Sequence, residues 1–172
     1  MPGFRHAGRR AVAALIDGAA VAVPLAAVAA VNALAIRRGA APPITLARRP
    51  RLMVPVLVTI PAALVLGLAD AHGGTPGMRA LGLATAPVGG GDLSVGAAVL
   101  RRAVTTTLPW ELAHQGVWSA RGEQNVAAAL LLGSSYACLI GLAVQAGRGD
   151  GRTVADLLAG TIVLDVHDVP AR

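Results

Sequence analysis

Arg10-Ala11-Val12-Ala13-Ala14-Leu15-Ile16-Asp17 opens the first long apolar segment with an arginine and then places an aspartate inside it. The apolar run continues from Ala11 to Ile36, interrupted only by Asp17, Pro24 and Asn32. As a helix it is roughly 39 Å long, enough to cross a ~30 Å hydrocarbon core with tilt. A carboxylate in that setting costs at least about 2.5 kcal/mol, so it needs a partner or a role. Asp17 lies roughly 9 Å along the helix from Ala11. Arg10 is two turns earlier, too far for direct contact, so the partner of Asp17 is expected from another segment. Arg101, Arg102 and Arg152 are the candidates.

Composition supports a membrane class. Of 172 residues, 55% are hydrophobic and 14% charged, and mean hydropathy is +0.63. Aromatic residues make up 2%, too few to fill an ordinary water-soluble core. Every basic residue is an arginine, and the net charge is +6. These arginines flank apolar runs rather than forming a basic module, which favours membrane topology and anionic lipid over nucleic acid. The lone Cys138 sits in an apolar run and excludes an intrachain disulfide.

Two further runs look like spans. Residues 52–69 are eighteen in number and carry Pro55 and Pro61, each expected to kink a helix. Residues 126–146 are uncharged. Gly18, Ala22, Ala26 and Ala30 in the first run, and Gly133, Ala137 and Gly141 in the third, recur every four residues as faces for helix packing. Ala33-Leu34-Ala35 resembles a signal-peptidase site, but the length of the run and Asp17 argue against cleavage. The connector carries Arg37, Arg38, Pro42, Pro43, Arg48, Arg49 and Arg51.

The polar stretch 70–125 is expected to be an interfacial, amphipathic helical loop. Gly74-Thr75-Pro76-Gly77 reads as a tight turn, 81–86 as a short strand or helix end, and Ser94 as the N-cap of a helix ended or kinked by Pro109. Trp110, His114 and Trp118 share one helical face at the membrane surface. In the tail, 147–172, a short helix over 153–158 precedes a β-prone end at 161–166. Arg152 and Asp156, four apart, are expected on one helical face. The whole is one all-α integral membrane domain with three transmembrane helices. Under this division the arginines split seven against eight between the two sides, so the positive-inside rule does not orient it.

Familiar catalytic patterns are missing. There is no phosphate loop, since the chain has no lysine. Glu111 and His114 could offer two metal ligands, but no further acidic ligands share their spacing. Ser134 and Ser135 lack a nucleophile-elbow frame. No enzyme activity, metal or cofactor is expected.

Taken together, Arg10-x-x-Ala13-Ala14-x-x-Asp17, Gly74-Thr75-Pro76-Gly77, Ser94 with Arg101, and Asp156-Leu157-Leu158-Ala159-Gly160-Thr161 resemble the RDD family of bacterial membrane proteins, over nearly the whole chain. Arg10, Asp17 and Asp156 correspond to the residues that give that family its name. The chain differs from the usual pattern at Met78 and in Phe4-Arg5-His6. The resemblance implies a multi-pass inner-membrane protein with a cytoplasmic N-terminus and long loop, of suggested transport function. Two roles follow for a charge network of Arg10, Asp17, Arg101, Arg152 and Asp156. The first is small-solute, cation or proton transport by exchanging carboxylates. The second is a structural or assembly role in which the network holds the fold and a partner, either another membrane protein or a second copy.

Overall fold

The computed structural model describes residues 3–40 and 50–166. Pro42, Pro43, Arg48 and Arg49 of the connector lie outside the described residues, as do the side chains of Phe4, Arg5 and His6. The first run forms one helix, α1 (Gly3–Arg37), with Arg10 and Asp17 on it. Ala13 and Asp17 are buried while Ala11, Val12, Ala14 and Leu15 are exposed, so only a narrow i, i+4 strip of this part faces the protein.

The second run is helical throughout. Helix α2 (Pro50–Val54) passes through a π-helical turn (Pro55–Thr59) into α3 (Ile60–Ala71), and the Ile60 N–H reaches back five residues to the Pro55 carbonyl. Pro61 follows immediately. It has no N–H to give Leu57, and its ring would collide with the Leu57 carbonyl in a regular α-turn. A wider turn relieves both problems.

The same solution appears a second time. Helix α5 (Val95–Arg102) runs through a π-helical turn (Ala103–Thr107) into α6 (Leu108–Arg121), with the Leu108 N–H on the Ala103 carbonyl and Pro109 next. Ser94 caps α5 as expected, its hydroxyl accepting from the Ala97 N–H at 3.2 Å. Pro109 does not end the helix. The stretch expected to be an interfacial loop therefore contains a helical run of its own, 95–121.

Helix α6 then folds back on α7 (Asn125–Ala146) as an antiparallel hairpin. Gly116 lies against Leu132, and the Ser135 hydroxyl donates to the Pro109 carbonyl at 2.7 Å. These contacts lie along α7, so α6 runs beside it rather than separately at a surface. Among the described residues, α7 is the one helix with both the length and the apolarity of a membrane span, at mean hydropathy 2.0. Val126, Leu130, Tyr136 and Ile140 on it are well exposed, which suits lipid and would be a liability in water.

A small cap closes one end of the helices. It comprises α4 (Pro76–Ala80), β1 (Leu83–Pro87), α8 (Val154–Ala159) and β2 (Thr161–Asp165). The strands pair antiparallel from Leu83↔Asp165 to Pro87↔Thr161, so the expected all-α class becomes mostly helical with a two-stranded sheet. Two strands alone are marginal; here Leu83 and Val163 pack on Ala13 of α1 and Met78 of α4. The N-terminal arm, the turn region after α3 and the tail thus meet at the same end of the molecule.

Close approach depends on two glycines. A Cβ at Gly77 would collide with the Ala13 carbonyl of α1, and one at Gly67 of α3 would sit 2.6 Å from Val99 Cγ2 on α5. Gly77→Ala is expected to destabilise the protein by about 1–3 kcal/mol. Gly133→Ala, where a Cβ meets nothing within 4 Å, should change stability by less than about 0.5 kcal/mol. Unfolding of both variants in detergent checks the pair, and equal effects would rule out the Gly77 contact as the cause.

Candidate functional site

Six side chains from α1, α3, the end of α5 and α8 form an unbroken line of alternating charge: Arg10, Asp156, Arg101, Asp70, Arg102, Asp17. Arg10 Nη2 lies 2.6 Å from Asp156 Oδ2, and Arg101 Nε lies 2.7 Å from Asp156 Oδ1. Arg101 Nη1 then reaches Asp70 Oδ2 at 3.0 Å. Arg102 grips Asp70 with two donors, at 2.8 and 3.1 Å, and approaches Asp17 Oδ2 at 3.3 Å. Consecutive helical residues point about 100° apart, so Arg101 and Arg102 diverge toward Asp156 and Asp17 while sharing Asp70. Asp17, Asp70 and Asp156 are each no more than 2% exposed. Burial on this scale is tolerable because three guanidiniums neutralise three carboxylates and nearly every lone pair is used.

Local structure completes each carboxylate. Asp17 Oδ1 accepts from the Gly77 N–H at 2.8 Å, and Oδ2 accepts from the Thr75 hydroxyl at 2.7 Å. Thr75 also caps α4 by accepting from the Met78 N–H, and it accepts from Arg102 Nη2. One donor and two acceptor positions of that hydroxyl are thereby filled. The turn motif now has a physical reading: Pro76 opens α4, Gly77 lets it approach α1, and Thr75 and Gly77 together hold Asp17. Asp156 sits in a capping box with Thr153, whose N–H and hydroxyl both donate to Oδ2 at 2.9 and 2.8 Å. Gly160 ends α8 in the left-handed conformation at φ 64°.

A scan of family models matches the RDD family over residues 4–160. The chain belongs to the RDD family. No curated protein and no solved structure matches it. The family and the apolar α7 point to a membrane protein.

In this RDD chain the line contains four of the five expected network residues, namely Arg10, Asp17, Arg101 and Asp156. Arg152 is the exception. Thr153 caps α8, so Arg152 precedes the helix and cannot stand one turn from Asp156; its Nε donates to the Thr161 carbonyl at 3.2 Å. Asp17 is partnered from another segment, as its depth required, and the partner is Arg102. Asp70 was missed, although it bridges the two arginines. Its signal was available: a carboxylate ends an apolar run immediately before the turn motif, opposite the Arg101-Arg102 pair.

A second polar line lies among the helices. Arg51 Nε donates to Gln115 Oε1 at 2.6 Å, Gln115 Nε2 donates to Glu111 Oε1 at 2.6 Å, and Thr59 in the first π-turn donates to Glu111 Oε2 at 3.4 Å. His114 leaves this line for Trp118, whose Nε1–H donates to His114 Nε2 at 2.8 Å. Indole can only donate, so His114 Nε2 accepts and the proton of the neutral ring sits on Nδ1. That atom has no hydrogen-bond partner among the described residues and lies 3.6 Å from Glu111 Oε1. Also among the described residues, no three potential metal ligands cluster.

Burial alone would raise the pKa of Asp156. The guanidiniums of Arg101 and Arg10, with the Thr153 N–H, more than reverse this and hold the carboxyl well below the usual carboxylate range. A depressed folded-state pKa gives stability that is complete above the unfolded value near 3.8 and is lost as pH falls through the folded one. Asp156→Asn is therefore expected to cost about 3–5 kcal/mol at neutral pH. The gap to wild type should narrow as the pH is taken well below 3.8. Unfolding midpoints across that range test this; a gap independent of pH would exclude the charge as its origin.

Proposed function

We propose that this RDD protein is a multi-pass protein of the bacterial inner membrane, and that its arginine–aspartate line is an assembly joint rather than a set of exchanging carboxylates. The observation that carries this reading is saturation. Both oxygens of Asp17, Asp70 and Asp156 accept from arginine, threonine or backbone donors, and a carboxylate held from so many sides is poorly placed to change partner. Its role would be to fix the cap to the helices, presenting a membrane-anchored surface to a partner, either another membrane protein or a second copy.

Parity supports four crossings instead of three. The arm, the turn region after α3 and the tail share an end, since Arg10 pairs with Asp156 and β1 pairs with β2. A chain whose two flanks share a side crosses an even number of times. The helical runs 3–37, 50–71, 95–121 and 125–146 supply four, and the second is ~33 Å long, close to the ~30 Å hydrocarbon core. Under this division Arg9, Arg10, Arg79, Arg101, Arg102, Arg148 and Arg152 flank the cap end. Arg37, Arg38, Arg48, Arg49, Arg51 and Arg121 belong by sequence to the segments at the other end, a bias of nine to six once Arg5 and Arg172 are counted with the first. The positive-inside rule then puts the cap and N-terminus in the cytoplasm.

Single-cysteine labelling on a Cys138→Ala background tests this arrangement. A membrane-impermeant maleimide should reach Glu123→Cys in intact spheroplasts, but Val88→Cys and Asp150→Cys only after lysis. Opposite accessibility of positions 88 and 150 would restore an odd number of crossings.

Transport remains the second reading, and the Arg51–Gln115–Glu111–Thr59 line favours it. Under four crossings Glu111 lies within the bilayer without an arginine at hydrogen-bonding distance among the described residues, so the carboxylate suited to ion chemistry moves from Asp17 to Glu111. If the protein carries protons or cations, Glu111→Gln should abolish pH- or cation-dependent flux in proteoliposomes while leaving the fold intact. Normal flux in that variant, or none in the wild type, would eliminate this reading.

A further inference from the structure

The outward side of the charge line faces a cavity of about 520 Å³ between α1 and α7. Its lining combines the charged Arg10, Arg101, Arg102 and Asp17 with the apolar Leu15, Leu139, Leu142 and Ala143. Leu15 and Ala14 of α1 and Leu139 and Ala143 of α7 are exposed, so the cavity opens sideways, on the face where α7 would meet lipid.

The charged lining is biased toward donors. Asp70 and Asp156 are not part of the lining, and Asp17 has both oxygens engaged by Gly77, Thr75 and Arg102. Arg101 is 4% exposed, yet among the described residues its Nη2 makes no hydrogen bond. The Nε of Arg10 is likewise without a hydrogen bond among them. A charged donor of a buried side chain, open only toward the cavity, is placed to take an acceptor there. The apolar walls next to it extend from Ala146 to Leu139, roughly 10 Å of helix. Cationic donors beside an apolar wall match an amphiphile with an anionic head.

We propose that this cleft holds one anionic phospholipid, its phosphate against Arg101 and Arg10 and an acyl chain between Leu15, Leu139 and Leu142. The lipid completes the hydrogen bonding of the line and fills the gap between α1 and α7. This goes beyond the assembly reading and does not depend on transport.

The test is native mass spectrometry of the full chain in detergent, titrated with phosphatidylglycerol or phosphatidylcholine. The expected result is a single phosphatidylglycerol adduct, with phosphatidylcholine at least roughly tenfold weaker. Leu142→Trp, which fills the cleft without touching the charges, should weaken that adduct by a similar factor. Ala143→Phe, at an exposed position of α7, serves the same purpose should Leu142→Trp fail to fold. Equal binding of the two lipids, or an adduct unchanged in the variant that folds, would overturn the proposal. Displacement of phosphatidylglycerol by millimolar inorganic phosphate would also overturn it, showing a site for free phosphate instead. None of these outcomes bears on the labelling pattern, so this proposal and the topology fail or stand separately.

Discussion

The Asp70 carboxylate is the joint on which the structure turns. It receives Arg102 through two donors and Arg101 through a third, and so ties α3 to the end of α5. Each arginine has a second carboxylate beyond it, Asp156 on α8 and Asp17 on α1. Removing Asp70 would leave two buried guanidiniums sharing only the carboxylates at either end of the line, with part of the desolvation penalty of each uncompensated. The buried apolar cluster joining α1, α4 and the strands has four members, one of them an alanine. In a chain with so few large core residues, the ionic line supplies specificity of docking that packing alone does not.

The helices feeding this joint share a device. Pro61 and Pro109 are each preceded by a π-turn that absorbs the missing N–H and the ring clash. Both turns carry threonine, at Thr59 and at 105–107. Thr105 donates its hydroxyl to the Arg101 carbonyl, and Thr59 donates to Glu111. The prolines thus preserve continuous helices while opening polar atoms inside them. Such irregular turns are tolerable in a low-dielectric setting when polar side chains gather around them, and here Thr59 meets Glu111 and Thr105 meets the Arg101 carbonyl. The second turn also forms the wall beside the arginines, linking helix irregularity to the cleft between α1 and α7.

Much of the local structure was legible. Ser94 caps a helix as its residue type suggests, and Thr161 to Asp165 is a strand. Asp17 had to find a partner away from its own helix, because two turns separate it from Arg10. What misled was distance along the chain. Arg152 and Asp156 have helical spacing, but the cap residue between them places Arg152 outside the helix. Residues 95–121 mix charges, threonines and a proline, so no apolar pattern marks them as a run equal to the others. Only packing along α7 reveals it.

The sequence by itself determined the membrane class, the apolar runs, the caps and the need of Asp17 for a counter-charge, since these follow from local composition and from the cost of burying charge. It also contained the family motifs that the match over residues 4–160 bears out. Tertiary structure alone decided that Asp70 is central, that Arg102 rather than Arg152 serves Asp17, and that the first turns of α1 meet α8 and β2 in one cap. These depend on which helices touch and at what height. A charge in a sequence announces that it needs a partner, but the partner is selected by distances across space that spacing along a chain does not encode.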